Sequence, residues 1–507
     1  MIMSDNMNIL FFITDQQRAD HLGCAGNSIL KTPNLDRLAS DSIRFTNMYV
    51  ANPICMPNRA SIFTGMYPNM HGNRTAGVNL SESVPTFTET LLKKGYYTKS
   101  IGKIHLQFST PPFKKEYKSA ESGKVWFSNR GRKDMTENFP LPYYGFKDVD
   151  LIVGHGEICS GHYFNWLEER APHYIEEIKS KGWSHIFKPY YDTSLPEELY
   201  PTSYITERAT QFLEEYSKGE HGDQPFFLMC SYPDPHHPVN PPGKYQKMYN
   251  PEDVKLPASF KDVENLKKHK FLGKLLNNPF FRGMILRITT EEEARNFTAY
   301  TYGTLSMIDD SVGKILAALE KLGLADNTMV IYTSDHGDLM GDHGLILKGP
   351  CPFNGILNVP LIWKVPGVTK PGVSNSLVSS IDISKTILSL VGIKPRRQPR
   401  DMQGVDITPV LKDPNEKVRD FCLVEHDEEI ENLNVKTRLR HFITEDYKLT
   451  VYNSRKGYGD LFDRKNDPLE LNNLWDSHPD LRHELLEKLF WENLNAQSRY
   501  PKRMSMS

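Results

Sequence analysis

The sequence predicts an α/β fold with a large, mainly parallel central sheet flanked by helices, followed by a small C-terminal α+β domain with an antiparallel sheet. Two observations support this prediction. Apolar segments typical of buried strands alternate along most of the chain with segments typical of helices, which is the order that a parallel sheet requires. The last part of the chain instead has strand-like segments in succession and then a closing helical segment.

The first predicted strand lies near the start of the chain. "MNILFFITDQQ" reads as a buried strand that runs into a loop carrying Asp15, Gln16 and Gln17. Helical patterns follow in "PNLDRLASDS" and in "PTFTETLLKKG", where a glycine stands just past the last periodic residue. The chain thus begins with a strand, a polar loop and helices.

Two later segments repeat this arrangement. "QPFFLMCSYPDPHHP" predicts a strand that ends in a proline-rich loop with His236, and "NTMVIYTSDHGD" predicts one that ends at Asp335, after the helix "SMIDDSVGKILAALEKLG". Ligand sites of parallel sheets lie beyond the carboxyl ends of the strands. We therefore expect Asp15, His236 and Asp335 to meet at one edge of the sheet.

The chain is predicted to have two domains. We place a catalytic domain over residues 1–414, with insertions around the rim at about 108–201, and a C-terminal subdomain over 415–507. In the second, "RHFITEDYKLTVYN" and "GDLFDRKNDPLELNNLW" predict a hairpin and a turn, and "RHELLEKLFWENLNAQ" predicts the closing helix.

Composition excludes several classes of protein. The 507 residues are 39% hydrophobic and 24% charged, which suits a globular protein with a large core. A net charge of -2 gives no indication of a nucleic-acid partner or an anionic membrane surface. The early apolar run Ile9–Ile13 is too short for a signal peptide, and no later run reaches the roughly 18 apolar residues of a membrane span. We therefore expect a cytoplasmic protein, and the six scattered cysteines are typical of reduced thiols.

Cys55 is the first candidate for reactive chemistry. In "ICMPNRASIFTG" it stands in front of a predicted helix, and Arg59 follows about one turn later on the same face. A helix N-terminus and a guanidinium both favour a thiolate. From these residues alone, Cys55 is either a reactive thiol or, as is more common, a buried structural cysteine.

The segment "CMPNR" fits the C-x-P-x-R signature of the formylglycine-dependent sulfatases, which belong to the alkaline phosphatase superfamily. Further segments resemble motifs of that family in the same order along nearly the whole chain: "FITDQQRADHLGCAG", "TPNLDRLASDSIRFTNMYV", "SIGKIHL", "PDPHHPV", "YTSDHGDLMGDHGLILKG", "NVPLIWKVPG" and "GDLFDRKNDPLELNNLW". The resemblance implies an alkaline-phosphatase-like sandwich and a metal-dependent, arylsulfatase-type hydrolase of sulfuric esters.

The resemblance also implies two cofactors. A maturation enzyme would oxidise Cys55 to the aldehyde formylglycine, whose hydrate attacks sulfur. One divalent ion would be bound, with calcium favoured and manganese or magnesium as alternatives. The implied metal ligands are Asp15, Gln16, the modified Cys55, Asp335 and His336.

Five further catalytic residues are implied by the same resemblance: Arg59, Lys103, His105, His236 and Lys348. Arg59 and Lys103 would hold the diol and sulfate oxygens, and His105 would be the base. His236, rather than its neighbour His237, would act with Lys348 on the departing oxygen. Two aspartates offset a divalent ion, so the three basic side chains leave roughly three positive charges facing the ligand. The expected substrate is therefore a small anionic ester.

The chain departs from the commonest family pattern at three positions. Gln16 and His336 stand where many relatives have an aspartate and an asparagine, which resembles the branch containing choline sulfatases and phosphonate monoester hydrolases. Hydrolysis of phosphonate monoesters or phosphodiesters by the same residues is therefore the first alternative, and a non-catalytic binding homologue is the second. Ala76 stands where an asparagine is often found, and Asn73 and Asn79 are the candidates to replace it.

Two other segments have a simpler interpretation. His155, Cys159 and His162 have a spacing that could suggest zinc, but without a fourth ligand we interpret the segment as part of the pocket wall. The basic stretch 394–400, "KPRRQPR", is interpreted as a surface turn. A formylglycine-generating maturation enzyme is the one protein partner expected, while a homo-oligomer stays open.

Overall fold

The computed structural model describes residues 7–110, 118–181, 188–277, 286–430 and 435–497. Parts of the predicted insertions, at 111–117 and 182–187, lie outside the described residues. The strands are β1 (Asn8–Thr14), β2 (Ile43–Tyr49), β3 (Tyr97–Gly102), β4 (Asp148–His155), β5 (Ile158–Gly161), β6 (Phe226–Ser231), β7 (Leu286–Ile288), β8 (Thr328–Ser334), β9 (Leu345–Leu347), β10 (Leu361–Lys364), β11 (Gly372–Ser379), β12 (Phe421–Ile430), β13 (Val435–Thr444), β14 (Tyr447–Tyr452) and β15 (Gly459–Asp463).

Helices of very different length connect these strands. They are α1 (Pro33–Ser40), α2 (Cys55–Thr64), α3 (Pro68–His71), α4 (Phe87–Lys94), α5 (Gly123–Phe127), α6 (Asn129–Glu137), α7 (His162–Arg170), α8 (Pro172–Lys181), α9 (Pro201–Ser217), α10 (Val263–Leu266), α11 (Leu272–Leu276), α12 (Glu291–Lys321), α13 (Asn354–Leu357), α14 (Ile381–Leu390), α15 (Thr408–Lys412) and α16 (Pro479–Asn495). Among the described residues, no helix is both long enough and apolar enough to cross a membrane.

The central sheet has nine strands in the order β11-β2-β10-β8-β1-β6-β3-β4-β5. β1 pairs in parallel with β6 and β8, β3 pairs in parallel with β4 and β6, and β2 pairs in parallel with β11. Only β10 and the edge strand β5 run against their neighbours. The predicted mainly parallel sheet is confirmed, and its parallel strands all end at the same edge.

Both faces of this sheet are covered, which explains the uninterrupted apolar run in β1. Ile9, Phe11 and Ile13 pack in one hydrophobic core, whereas Leu10 and Phe12 pack in a second core on the other face. Successive residues of a strand point to opposite faces, so both sets must be apolar. Burial of each such side chain contributes about 1.5–3 kcal/mol to the free energy of folding.

Helix α12 is longer than the sequence pattern predicts. The prediction begins at Ser306, but the helix begins at Glu291. Its N-terminus is capped by Thr290, whose hydroxyl oxygen accepts the backbone N–H of Glu293, and three glutamates occupy the first turn. The added turns contain buried residues on several sides, so no single apolar stripe marks them.

The predicted C-terminal antiparallel sheet is confirmed. Its four strands follow the order β12-β13-β14-β15, and α16 packs on one face through Leu485 and Leu489. The backbone N–H of Glu425 in β12 donates to the carbonyl oxygen of Ala51, close to Cys55 in the chain. The small sheet therefore supports the segment that precedes α2. The domain boundary at 414/415 stays a prediction.

Candidate active site

Cys55 is the first residue of α2, at the start of the helix that the sequence predicts to follow it. All ten residues of this helix are buried, and the following Gly65 has φ 66°, a left-handed conformation that glycine adopts without strain. Cys55 itself is only 7% exposed. A buried helix N-terminus directs its positive dipole end at the sulfur.

Four side chains from three segments form one cluster at the edge of the sheet. Asp15 follows β1, Asp335 and His336 follow β8, and Cys55 begins α2. One ligand atom from each lies within 4.8 Å of the others, and all four residues are buried. Parallel neighbours β1 and β8 bring Asp15 and Asp335 together across more than 300 positions of sequence, with Thr14 opposite Ser334.

The chemistry of these atoms fits a divalent cation. The Nδ1 atom of His336 lies 2.9 Å from the carbonyl oxygen of Gly337, which directs Nε2, 3.3 Å from Asp15 Oδ1, into the cluster, where it can bind an ion once its proton has left. Asp15 Oδ1 and Gln16 Oε1 are both buried without a hydrogen-bond partner among the described residues. Two such oxygens are expensive to bury unless an ion binds them.

Gln16 is oriented by its amide nitrogen. Its Nε2 donates to Asp338 Oδ2 at 2.6 Å and lies 3.2 Å from His237 Nδ1, which leaves Oε1 for another partner. Gln16 also has φ 76°, and His105 and Leu347 have φ values of 58° and 71°. Left-handed backbone costs about 1–3 kcal/mol at such residues and is concentrated at functional sites.

Arg59 is fully buried and joins several parts of the site. Its Nε donates to Asp335 Oδ2 at 2.6 Å, and its Nη1 donates to the Lys103 carbonyl oxygen and to Ser231 Oγ at 2.8 and 2.9 Å. Its Nη2 has no hydrogen-bond partner among the described residues. The protein therefore fixes the guanidinium through Nε and Nη1, while Nη2 stays available for a ligand.

Two lysines place positive charge on both sides of the cluster. Lys103 forms an ion pair with Asp15. Lys348 Nζ lies 3.5 Å from Cys55 Sγ, 2.8 Å from His336 Nε2 and 3.0 Å from His236 Nε2. Gly102, just before Lys103, has φ 109°, and any side chain there would collide with the Ser231 carbonyl oxygen. This close contact of β3 with β6 fixes the backbone position from which the Lys103 side chain extends.

These charges act on the thiol. Burial alone raises the pKa of Cys55, but Lys348 and Lys103, aided by a hydrogen bond from His336, lower the pKa to about 5. The other fully buried cysteines show the opposite behaviour, since burial raises the pKa of Cys230 and Cys159. Cys55 thus has an environment of reactive chemistry and not of core packing.

Of the two adjacent histidines His236 and His237, His236 is the one that contacts Lys348. Its Nδ1 lies 2.5 Å from the His237 carbonyl oxygen, which makes Nε2 the acceptor of the Lys348 proton. Burial, with the neighbouring His155 and Lys348, holds the pKa of His236 well below its ordinary value. His237 instead faces Gln16.

His105 sits in a loop that is held by a residue not predicted from the sequence. The Glu121 carboxylate accepts the backbone N–H groups of His105, Leu106 and Gln107 and the hydroxyl of Tyr143. His105 Nδ1 is buried without a hydrogen-bond partner among the described residues. Burial and the charges of Lys103 and Arg59 hold the pKa of His105 well below its ordinary value, so the ring is neutral and able to accept a proton.

The structure separates the three residues that could suggest zinc. His155 stacks on His236, whereas the Cys159 thiol donates to the Gly156 carbonyl oxygen and His162 Nδ1 accepts the backbone N–H of Leu151. His155 therefore belongs to the active site, which the sequence interpretation missed. The sequence did contain an indication of this, because the apolar run in "DVDLIVGH" ends in a polar residue, as it does in β1 and β8.

The two asparagines offered as replacements for Ala76 also differ. Asn79 donates to the Lys118 carbonyl oxygen and accepts the backbone N–H of Phe108, so its amide is used within the loop. Asn73 is fully buried, and neither amide atom has a hydrogen-bond partner among the described residues. Of the two, Asn73 has the side chain that is free to serve a ligand.

Metal binding by the unmodified protein should depend strongly on pH. Burial and Lys348 favour a neutral His336, but Asp335, Asp15 and Cys55 outweigh them and raise its pKa to about 9. An ion must then displace one proton below that pH. We expect the manganese affinity to fall roughly tenfold for each pH unit below about 8.

Isothermal titration calorimetry with manganese chloride, in buffers of different ionisation enthalpy, measures the manganese affinity and the number of protons released. Release of about one proton at pH 7 is expected, and the variant His336→Asn, which cannot hold that proton, should flatten the pH dependence. An affinity that does not change between pH 6 and pH 8, or binding without proton release, would contradict this assignment of His336.

Comparisons with known proteins show similarities over most of the chain. A family model described as "Sulfatase" matches residues 7–393, and a second, "N-sulphoglucosamine sulphohydrolase, C-terminal", matches residues 341–498. An arylsulfatase of Clostridium perfringens is 29% identical over 477 residues, which are 93% of this chain and 90% of that protein.

Two further similarities extend the comparison. The multifunctional alkaline phosphatase superfamily protein PehA of Trinickia caryophylli is 31% identical over 425 residues, which are 80% of this chain and 77% of that protein. The crystal structure of a phosphonate monoester hydrolase of Agrobacterium radiobacter superposes with a TM-score of 0.77 at 24% identity, covering 97% of this chain and 96% of that one. This last similarity concerns the fold.

Proposed function

The chain belongs to the sulfatase family, a group of hydrolases within the alkaline phosphatase superfamily, and from that membership we propose that it hydrolyses a sulfate monoester at Cys55. In this reaction the bond between sulfur and the ester oxygen breaks. Water supplies the oxygen that ends in sulfate and the proton that ends on the alcohol. The observation that supports the proposal is the cluster of Asp15, Asp335, His336 and Cys55 within 4.8 Å, with Lys348 beside the sulfur.

The cluster would hold a divalent ion through Asp15, Gln16, Asp335 and His336, with the oxidised side chain of Cys55 as a further oxygen ligand. When bound, the ion and the aldehyde hydrate together supply an activated oxygen nucleophile at neutral pH. We infer calcium as the ion because most of these ligand atoms are oxygens, while the imidazole keeps manganese as an alternative, and magnesium stays open.

Arg59 and Lys103 would bind the sulfate oxygens. Arg59 has Nη2 free, and Lys103 is held in place by Asp15, so both cations are fixed before a substrate arrives. Fixed charges in a dry pocket stabilise negative charge that develops on the sulfuryl oxygens, without the reorganisation that water needs. An anionic ester is the ligand that such a pocket attracts.

Lys348 is the proton donor that the geometry favours at the departing oxygen. The Nε2 atom of His236 accepts from Lys348, so the ammonium group carries the proton and the imidazole orients it. Lys348 also lies 3.5 Å from Cys55 Sγ, within reach of the ester oxygen of a substrate bound at Cys55. General acid assistance of this type is worth about two to four powers of ten in rate.

His105 would act as the base in the second half of the reaction. Its ring is neutral, its Nδ1 lacks a partner, and Glu121 fixes the loop that carries it. A neutral imidazole near Lys103 can take the proton that must leave before sulfate is released.

Partners and location are part of the same proposal. We expect a small anionic ester as substrate, a maturation enzyme that oxidises Cys55, and no nucleic-acid or membrane partner; a cytoplasmic location and a homo-oligomer are further expectations. The net charge of -2 and the local cluster of basic side chains support a substrate attracted by the pocket and not by the protein surface.

A substrate panel tests this function. The protein, coexpressed with a formylglycine-generating enzyme and supplied with calcium or manganese, should hydrolyse 4-nitrophenyl sulfate, and chelation should abolish turnover. The same preparation is assayed on a phenylphosphonate monoester and a phosphodiester. A kcat/KM more than about tenfold higher on either phosphorus ester would replace this proposal with the phosphonate monoester hydrolase alternative. No turnover on the whole panel, with Cys55 shown to be oxidised by peptide mass, would favour a binding protein.

A further inference from the structure

Three histidine rings from two segments stack beside Lys348. The His155 ring, at the end of β4, lies parallel to the His236 ring, with centroids 3.7 Å apart and planes 16° apart. The His237 ring lies 4.2 Å from His236 at 21°. His236 is therefore held between two rings, one from its own loop and one from a different strand.

The hydrogen bonds of His155 fix its own orientation. Its Nδ1 lies 3.2 Å from the Pro233 carbonyl oxygen, so this nitrogen carries the proton and donates. Its Nε2 is then a lone pair, 3.5 Å from Lys103 Nζ. One ring thus contacts both sides of the site: its face packs on the histidine that orients Lys348, and its edge faces the lysine at the sulfate.

We propose that His155 is a positioning residue for the proposed sulfate-ester hydrolysis, holding His236, and through it Lys348, at the departing oxygen. This inference rests on the proposed function. The two hydrogen bonds of His236 lie in the plane of its ring, so they restrain its edge but leave it free to tilt. Parallel rings on both faces remove that tilt, and a fixed imidazole holds Lys348 in one orientation, so less side-chain entropy is lost when the lysine meets the substrate.

The contact with Lys103 makes a second, separable contribution. A phenylalanine at position 155 would keep a ring of similar shape against His236 but would lose the Nε2 lone pair and the hydrogen bond from Nδ1 to the Pro233 carbonyl oxygen. An alanine would lose the ring as well. The pair of variants His155→Phe and His155→Ala therefore distinguishes the effect on the leaving group from the effect on the sulfate oxygens.

The first test varies the leaving group. Proton donation matters for phenyl sulfate, whose phenolate is a poor leaving group, and much less for 4-nitrophenyl sulfate, whose phenolate is a good one. In H155A we expect kcat/KM for phenyl sulfate to fall about tenfold further than for 4-nitrophenyl sulfate, mainly through kcat. In H155F the ratio of kcat/KM for the two substrates should stay within about twofold of the wild-type ratio. Both values should fall by a similar factor, because the contact with Lys103 is lost.

A second test does not depend on turnover. In the metal-free protein, diethyl pyrocarbonate should carbethoxylate His236 faster in H155A than in the wild type, because one face of its ring is uncovered, and H155F should restore the protection. Peptide mass analysis gives the rate at His236. The variant His173→Ala, at an exposed histidine of α8, is the matched control and should match the wild type in both tests.

The outcomes are distinct. A steeper dependence on the leaving group in H155A, reversed in H155F, together with faster labelling of His236, supports the positioning role. An equal loss on both substrates, or a dependence in H155F as steep as in H155A, overturns it. If H155A does not fold, a leaving-group dependence in H155F that differs from the wild type by more than about twofold overturns it alone. If the wild-type protein is inactive on every sulfate ester, the result contradicts the proposed function itself.

Discussion

Replacement of Cys55 by alanine should abolish turnover while leaving the fold intact. Alanine has no atom that can be oxidised to the aldehyde or attack sulfur. We expect kcat/KM on 4-nitrophenyl sulfate to fall by at least about four powers of ten, to the level that binding alone supports. Alanine fits the space of the thiol, so the unfolding midpoint should change by the equivalent of about 1 kcal/mol or less.

The matched control for this prediction is Cys24→Ala. Cys24 is a free, partly exposed cysteine in which burial and Asp36 raise the pKa to about 12, the reverse of the shift at Cys55. C24A should retain activity within about twofold. If C55A kept more than about a tenth of the wild-type activity, the nucleophile would have to be sought elsewhere in the site.

The parts of the site that the sequence predicts are those that depend on local pattern. Asp15 and Asp335 each follow an apolar run, and parallel strands leave no other edge on which they can meet. Arg59 lies one helical turn after Cys55, so its side chain had to share that face. The roles of these residues came from the resemblance and stay predictions, whereas their proximity is a feature of the fold.

The residues missed by sequence analysis are those whose partners lie far away in the chain. Glu121 is neither part of a motif nor at the end of a strand, and only the folded loop shows that its carboxylate accepts three successive N–H groups after Lys103. His155 was assigned to a pocket wall because its segment was considered as a possible metal motif. The pairing of β4 with β3 is what brings this ring to His236.

The antiparallel strand β10 has a different explanation. Alternating strands and helices predict a parallel sheet, but β10 is reached from β8 through the loops that carry His336 and Lys348 and through the single-turn helix α13. This connection does not cover a face of the sheet with a long crossover helix, so the chain can return beside β8 in the opposite direction. The loop that departs from the simple pattern is the one that supplies two site residues.

Replacement of Asp335 by asparagine should have large effects on both stability and activity. Asp335 is fully buried, and its Oδ2 is the direct acceptor for Arg59 Nε, while Asp15 already pairs with Lys103. D335N keeps the shape but leaves a buried guanidinium without its counter-charge, which is expected to destabilise the protein by about 3–5 kcal/mol in urea unfolding. It also removes a charged ligand from the metal cluster, so metal-dependent turnover should fall by at least about a hundredfold.

The double variant Arg59→Met with Asp335→Asn separates these two effects. Removing the unpaired cation should recover at least half of the lost stability, because breaking one partner of a buried pair costs far more than replacing both. Activity and calcium or manganese affinity should stay low, since the carboxylate and the guanidinium are both absent from the site. If D335N unfolded at the wild-type urea concentration, Arg59 would have to be neutralised by Asp15 alone, and the arrangement in which Asp335 joins the metal cluster to the helix of Cys55 would be wrong.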